Sequence, residues 1–206
     1  MSQHRDAADL ADSQDRLRWN RKYSGEFVPS FVPHPLAVSA LSAELPAGPV
    51  LDLASGPSGS ALHAAAAGRK VTVVDVSDVA LGLLAAEAHR RGLTELVTIV
   101  QADLVNYRPA AATFALVLCT GFWDRQVFAA AAAGVAPSGL IGWEALTARA
   151  MRLRPGLPAE WCVSGDEPAS LLPPDFEVLE QHDVDGAHTA KRRLLARRQP
   201  GTRKLG

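Results

Sequence analysis

Apolar positions recur along this chain with two different spacings, and the change from one to the other marks its organisation. Asp6–Tyr23 is polar, with apolar side chains arriving late at Leu17, Trp19 and Tyr23, which predicts a helix anchored through its C-terminal half. Pro29, Pro33 and Pro35 follow. Each lacks an amide donor and restricts its predecessor, so an irregular linker is expected before a short helix over Leu36–Leu45. From Val50 the pattern becomes regular. Val50–Leu53 is a short apolar run, Ala54–Gly59 a turn of small residues, and Ser60–Ala67 a helix stopped by Gly68. Val71–Val76 is β-branched, and Ser77 caps a helix over Asp78–Arg91 that ends at Gly92. Leu96–Val100 and Phe114–Cys119 predict two more strands. Asp124 caps a helix running to Ala133, and Pro137-Ser138-Gly139 turns the chain into a strand over Leu140–Leu146.

Strands alternating with helices at this spacing imply βαβ units, a parallel sheet and right-handed crossovers. Arg149–Pro174 breaks the alternation with five prolines, which suggests an insertion over the carboxyl ends of the strands. Phe176–Val184 and Lys191–Ala196, joined at Asp185-Gly186, predict an antiparallel hairpin at the sheet edge. The expected fold is α/β, a Rossmann-like, doubly wound, seven-stranded sheet that is mostly parallel with a C-terminal antiparallel hairpin. One domain is expected over 1–206: a helical cap (1–48), a ligand-binding core (49–146), a Pro-rich insertion (147–175) and the hairpin (176–198).

Composition narrows the setting more than the chemistry. A length of 206 residues holds one α/β domain of this size. A net charge of -1 offers no overall attraction to nucleic acid or to an anionic membrane. The apolar runs are too short to span a bilayer, and the polar first residues do not resemble a signal peptide. Cys119 and Cys162 match no metal-ligand spacing, so no metal is expected, and so few thiols suit a reducing cytoplasm. The basic run Lys191-Arg192-Arg193, Arg197-Arg198 lacks interleaved aromatics, which favours solvated strand ends over an RNA surface. The six histidines form no cluster, and none is assigned as a base.

The chemical signal is Leu51-Asp52-Leu53-Ala54-Ser55-Gly56-Pro57-Ser58-Gly59, followed by Val73-Val74-Asp75. An open parallel sheet binds ligands beyond its strand ends. Small residues there admit a ligand to the backbone, and an acid ending the second strand can accept from both hydroxyls of a ribose. Together these features indicate an adenosine-containing cofactor. A NAD(P) fingerprint makes similar demands, but it needs a third glycine that this turn lacks, and no Tyr-x-x-x-Lys pair is present.

The stretch Leu51–Leu62 resembles motif I of the class I S-adenosylmethionine-dependent methyltransferases, with Ala54 and Ser58 in place of two of its glycines. The resemblance continues through Asp75, Ala102-Asp103-Leu104, Phe114–Thr120 and Pro137-Ser138-Gly139. The lead Arg18-Trp19-Asn20-Arg21-Lys22-Tyr23 is similar to that of small tellurite- and thiopurine-type enzymes. The resemblance implies that Asp52, Ala54, Ser55 and Gly56 serve the methionine end of S-adenosylmethionine. It puts Asp75 on the ribose, Val76 against adenine, and Asp103 on the adenine amino group with Ala102 and Leu104 beside it. Cys119 and Thr120 would lie near the reacting methyl.

Ala54 costs little if its φ is negative, whereas Ser58 would be strained at positive φ unless Gly59 took over that conformation. Trp19 and Tyr23 are either a hydrophobic anchor or an aromatic lid over the cofactor. No catalytic group is assigned; Trp123, Asp124 and Glu144 are the candidates, with helix capping the favoured role for Asp124 and a partner required for Glu144 if it is buried. The implied activity is direct methyl transfer to an O, N or S atom of a small molecule by a monomer or homodimer. The alternatives are a non-catalytic S-adenosylmethionine-binding scaffold and, further off, an NAD(P)-dependent oxidoreductase.

Overall fold

Four β-branched or leucine-rich runs form the parallel centre of the sheet, because only strands covered on both faces can be apolar throughout. The structure is a computed structural model that describes residues 10–201; the first residues of the expected N-terminal helix, 6–9, lie outside the described residues. In chain order the strands are β1 (Val50–Leu53), β2 (Val71–Asp75), β3 (Val97–Gln101), β4 (Phe114–Thr120), β5 (Val135–Thr147), β6 (Cys162–Val163), β7 (Phe176–Asp185) and β8 (Ala190–Arg198). The helices are α1 (Gln14–Tyr23), α2 (Pro35–Ser42), α3 (Gly59–Ala66), α4 (Asp78–Arg90), α5 (Arg125–Gly134) and the single turn α6 (Ala150–Leu153).

The sheet order is β3-β2-β1-β4-β5-β8-β7, with β6 pairing β5 off this path. The pairs from β3 to β5 run parallel, and β8 enters antiparallel to both β5 and β7. The order reverses between β1 and β4, the switch point at which such sheets bind ligands. The α/β doubly wound architecture with its antiparallel ending is the expected one. The two-residue β6, an addition from the Pro-rich segment, makes the eighth strand.

Two apolar clusters cover the two faces. Leu51, Leu53 and Val117 pack with Phe128, Ala131 and Trp143 on the α5 side. Val50, Val73 and Leu116 pack with Leu36, Leu62 and Leu84 beneath α2, α3 and α4. Among the described residues no helix is long and apolar enough to cross a membrane.

Three elements differ from expectation. The helix after the prolines ends at Ser42, because Ala43 is already extended (φ -77°, ψ 162°). The turn Pro137-Ser138-Gly139 lies inside β5: Val135 pairs Phe114, Leu140 pairs Leu116, and the residues between are taken up as an irregularity with Ser138 at φ +64°. The largest correction concerns α1, which buries none of its residues and leaves the expected anchor Leu17 exposed. Polar contacts hold it instead. Asn20 donates to Asp78 (2.9 Å) and accepts from the Ser77 hydroxyl (2.6 Å), and Arg16 donates to Asp78 (2.7 Å). These bonds set α1 across the start of α4.

Candidate active-site cleft

A cleft of about 410 Å³ opens at the carboxyl ends of the central strands. Its floor is Ala54 after β1, Asp75 and Val76 after β2, and Ala102, Asp103 and Leu104 after β3. Thr120 and Trp123 after β4 close one side. Trp19 and Tyr23 of α1 form the roof with Trp161 of the Pro-rich segment. The fold therefore gathers most of the residues singled out in the sequence around one space.

The turn after β1 explains how. Asp75, 7% exposed, accepts the Gly56 amide on Oδ2 (2.7 Å) and the Ser77 amide on Oδ1 (2.8 Å), so one side chain ties the β1 turn to the α4 cap. Burial raises its pKa, and these amides oppose the rise. Each oxygen keeps lone-pair capacity for a further donor. Gly56 sits at φ +53°, and a Cβ there would lie 2.9 Å from the Tyr23 hydroxyl. Gly59 is needed for a different reason: a Cβ would come within 2.5 Å of the Phe31–Val32 backbone, where the proline linker crosses the start of α3.

The structure settles which of the two substituted positions carries a positive φ. Ser58 is relaxed at φ -76° and caps α3, its hydroxyl accepting the Ala61 amide (3.0 Å) while donating to Asp52 (2.6 Å). Ala54 carries the positive φ, at +48°.

Several expected site residues stand outside the cleft lining. Asp52 is buried beneath the turn on Ser58, and desolvation pushes its carboxyl up to about 7 despite the Ser58 hydrogen bond. Ser55 serves the turn, its amide donating to the Val74 carbonyl (3.2 Å). The Cys119 thiol is fully buried in the core, and burial holds its pKa well above the usual range. Asp124 caps α5, accepting the Gln126 and Val127 amides (2.8 and 2.9 Å). Glu144, 1% exposed, accepts from Lys191 and Arg193 (each 2.5 Å) and lies 3.3 Å from His34 Nε2. Burial alone would raise the Glu144 pKa; the hydrogen bonds from His34, Lys191 and Arg193 overcome it and hold the carboxyl well below the usual range. The Leu36 amide donates to His34 Nδ1 (3.2 Å), which assigns the ring proton to Nε2, facing Glu144. The basic run of β8 is therefore not simply solvated: two of its members neutralise a buried acid, and Arg192 pairs Asp183.

The roof also holds residues the sequence reading passed over. Asp15, Arg18 and Lys22 line the cleft beside Trp19, and their spacing of i, i+3, i+4 and i+7 is one helix face. That polar stripe was the available signal. Lys22 Nζ lies 4.5 Å from the Trp19 ring centroid, and the Arg18 guanidinium 4.4 Å from that of Trp161, which joins α1 to the Pro-rich segment. Trp19 stacks on Tyr23 at 5.9 Å, and Tyr23 meets Phe27 edge-on at 5.1 Å. Burial, then the nearby Asp75 charge, push the Tyr23 hydroxyl up to about 12. Among the described residues no cluster of three His, Cys, Asp or Glu side chains could hold a metal ion.

A doubly wound sheet of this order, with an acid ending β2 tied to a glycine turn after β1, is an architecture that binds ligands beyond its strand ends at the switch point. Residues 50–139 match the family described as methyltransferase domain. Three solved structures share the fold. One is the protein reported for conversion of a disulfide bond into a thioacetal group during echinomycin biosynthesis (19% identity, TM-score 0.69, covering 91% of this chain and 94% of that one). Another is magnesium protoporphyrin IX methyltransferase from Synechocystis PCC 6803 with bound SAH (17%, 0.66, 93% and 97%). The third is TehB from Haemophilus influenzae (17%, 0.64, 90% and 67%). No curated protein matches the chain.

The cleft suits the cofactor that this family uses. Asp75 offers unfilled acceptor positions, and Ala54 presents backbone with no bulky side chain. The buried Trp123 indole N–H has no hydrogen-bond partner among the described residues.

Proposed function

We propose that the chain transfers a methyl group from S-adenosylmethionine to an O, N or S atom of a small molecule. The observation that carries this is the Asp75 carboxylate, fixed by the Gly56 and Ser77 amides with acceptor capacity left at the cleft. It is set to accept both ribose hydroxyls with charge-assisted hydrogen bonds. Val76, Ala102 and Leu104 would flank adenine, and Asp103, whose Oδ1 accepts the Val105 amide (3.1 Å), would receive the adenine amino group. Ala54 would face the methionine end, with Asp52, Ser55 and Gly56 holding the turn behind it and Thr120 toward the transferred methyl. Trp19 and Tyr23 would cover the ligand.

When bound, the cofactor supplies a methyl group already activated on a sulfonium. The work left to the protein is to align the acceptor, exclude water and receive a proton where the acceptor loses one. Neither Asp124 nor Glu144 is free to act as a base: one is spent on a helix cap, the other on two cations. Positioning by Trp123 and the roof therefore carries the rate. Since one chain supplies every wall of the cleft, a monomer suffices and a homodimer is compatible. The two buried free thiols suit the cytoplasm.

Melting curves with S-adenosylmethionine, S-adenosylhomocysteine, NAD and NADP test the site, and methyl-labelled cofactor with a panel of small acceptors tests the transfer. Stabilisation by the first two ligands and label in a small-molecule product are expected. Stabilisation by the dinucleotides alone would overturn the assignment. Ligand binding without transfer to any acceptor favours the scaffold role.

A further inference from the structure

Four basic residues converge on the cleft: Arg18 and Lys22 from α1, Arg154 after α6 and Lys191 at the start of β8. Lys191 is matched by Glu144. Among the described residues, Arg18, Lys22 and Arg154 form no ion pair with a carboxylate. They lie close enough to repel one another: burial lowers the Lys22 pKa most, the Arg18 charge lowers it further, and Asp75 opposes them with a pull that exceeds the remaining push from Arg154. Unpaired like charges at one cavity mouth raise the local concentration of an anion and are relieved when one binds.

A second observation is independent of charge. Trp123, 4% exposed, lines the same cleft, and its indole N–H is buried with no partner among the described residues. A buried donor left unmatched is costly, and a ligand oxygen would match it. The walls between these groups are flat and apolar, formed by Trp161, Phe122, Leu146 and Leu157. A cleft of about 410 Å³ is small for a site holding two ligands.

We infer that the methyl acceptor is a small aryl carboxylic acid, with its ring against Trp161 and its carboxylate received by Arg18 and Arg154. One carboxylate oxygen takes the methyl, the O–CH3 bond forming as the S–CH3 bond breaks, and the methyl ester and S-adenosylhomocysteine leave. The planar guanidinium of Arg154 suits two-pronged binding of a carboxylate. This rests on the proposed methyl-transfer function, in which the cofactor occupies the side of the cleft toward Asp75 and Asp103.

The probes are trans-cinnamate and its neutral amide, with benzoate and benzamide as a smaller pair. Each is titrated calorimetrically into the protein with and without saturating S-adenosylhomocysteine. The acids are expected to bind about 10- to 100-fold more tightly than their amides, as for charge-assisted hydrogen bonds. Arg154→Gln and Arg18→Gln should erase that preference while S-adenosylhomocysteine affinity changes by less than about threefold. Equal binding of acid and amide, a lack of binding by both included, overturns the inference. So does a variant that keeps the acid preference while losing S-adenosylhomocysteine affinity, since those cations would then serve the cofactor. Failure of S-adenosylhomocysteine itself to bind would strike the proposed function, and the acid-to-amide comparison in the free protein would still decide the inference.

Discussion

Ala54 holds a backbone conformation that glycine adopts freely and an L-residue adopts at a cost of about 1–2 kcal/mol. The sequence showed the missing glycine but not which substituted position carried the positive φ, because that depends on how the turn meets Asp75. Ser58, which only a positive φ would have strained, is a helix cap whose hydroxyl also binds Asp52. Ala54→Gly should therefore stabilise the protein by about 1 kcal/mol, after the greater chain entropy of glycine is set against the relief. Its melting temperature should rise by about 2–4 °C. An unchanged or lower value in thermal unfolding would show that the turn is not strained there. Asp75 was legible as the acid ending β2. Its second role was not, since the two amides it satisfies come from 19 residues before and two residues after it. Removing the side chain altogether would therefore damage the turn along with any ribose contact, and Asp75→Asn is the cleaner probe.

At the scale of elements, β1, β2 and β4 were readable because burial on both sheet faces demands uninterrupted apolar runs. The helix caps were readable because Ser77 and Asp124 stand directly before their helices. α1 was readable as a helix whose Trp19 and Tyr23 serve as an anchor or a lid, but the contacts that set it over the cleft were not readable. Its contacts are polar, and its partners Ser77 and Asp78 lie 57 and 58 residues away from Asn20. Asn20→Ala should loosen α1 without touching the core. Each lost hydrogen bond is worth about 0.5–1.5 kcal/mol, so the closed fraction should fall and S-adenosylhomocysteine affinity should drop about 3- to 10-fold. Calorimetric affinity together with proteolysis at Arg21 and Lys22 checks this; unaltered affinity would mean that α1 does not cover the ligand. The Pro-rich segment was placed over the strand ends from its composition, and Arg154, Leu157 and Trp161 do reach the cleft. Its pairing of β6 with β5 left no sequence signal, being only two residues long.

For the molecule as a whole, two buried acids oppose each other in their response to pH. Glu144 lies beside cations that are 47 and 49 residues distant, so its environment could not be read locally. Its depressed pKa gives stability that is present above the normal carboxylate range and lost as pH falls below it. Asp52 acts in the other direction. Its native pKa of about 7 lies above the unfolded value of 3.8, so its contribution is full below pH 3.8 and is lost as pH rises toward 7. His34 lowers this value and Asp75 raises it, both less than burial does. Asp52→Asn keeps an oxygen for the Ser58 hydroxyl and removes the titration. Urea unfolding at pH 5 and pH 8 should show the native protein less stable at the higher pH relative to the variant, by about 2–4 kcal/mol. Parallel pH dependence in the two proteins would contradict a protonated Asp52. The doubly wound, mostly parallel sheet and its antiparallel hairpin followed from the sequence pattern, whereas the charge arrangement around the cleft depended on tertiary neighbours.

The central claim is that Asp75 anchors the ribose of an S-adenosylmethionine-type ligand. Calorimetric titration of S-adenosylhomocysteine into the native protein and Asp75→Asn tests it most directly. The account predicts one site per chain in the native protein and an affinity about 10- to 100-fold weaker in the variant, with the melting temperature of the free protein little changed. Absence of binding to the native protein, or equal affinity in both, would contradict it.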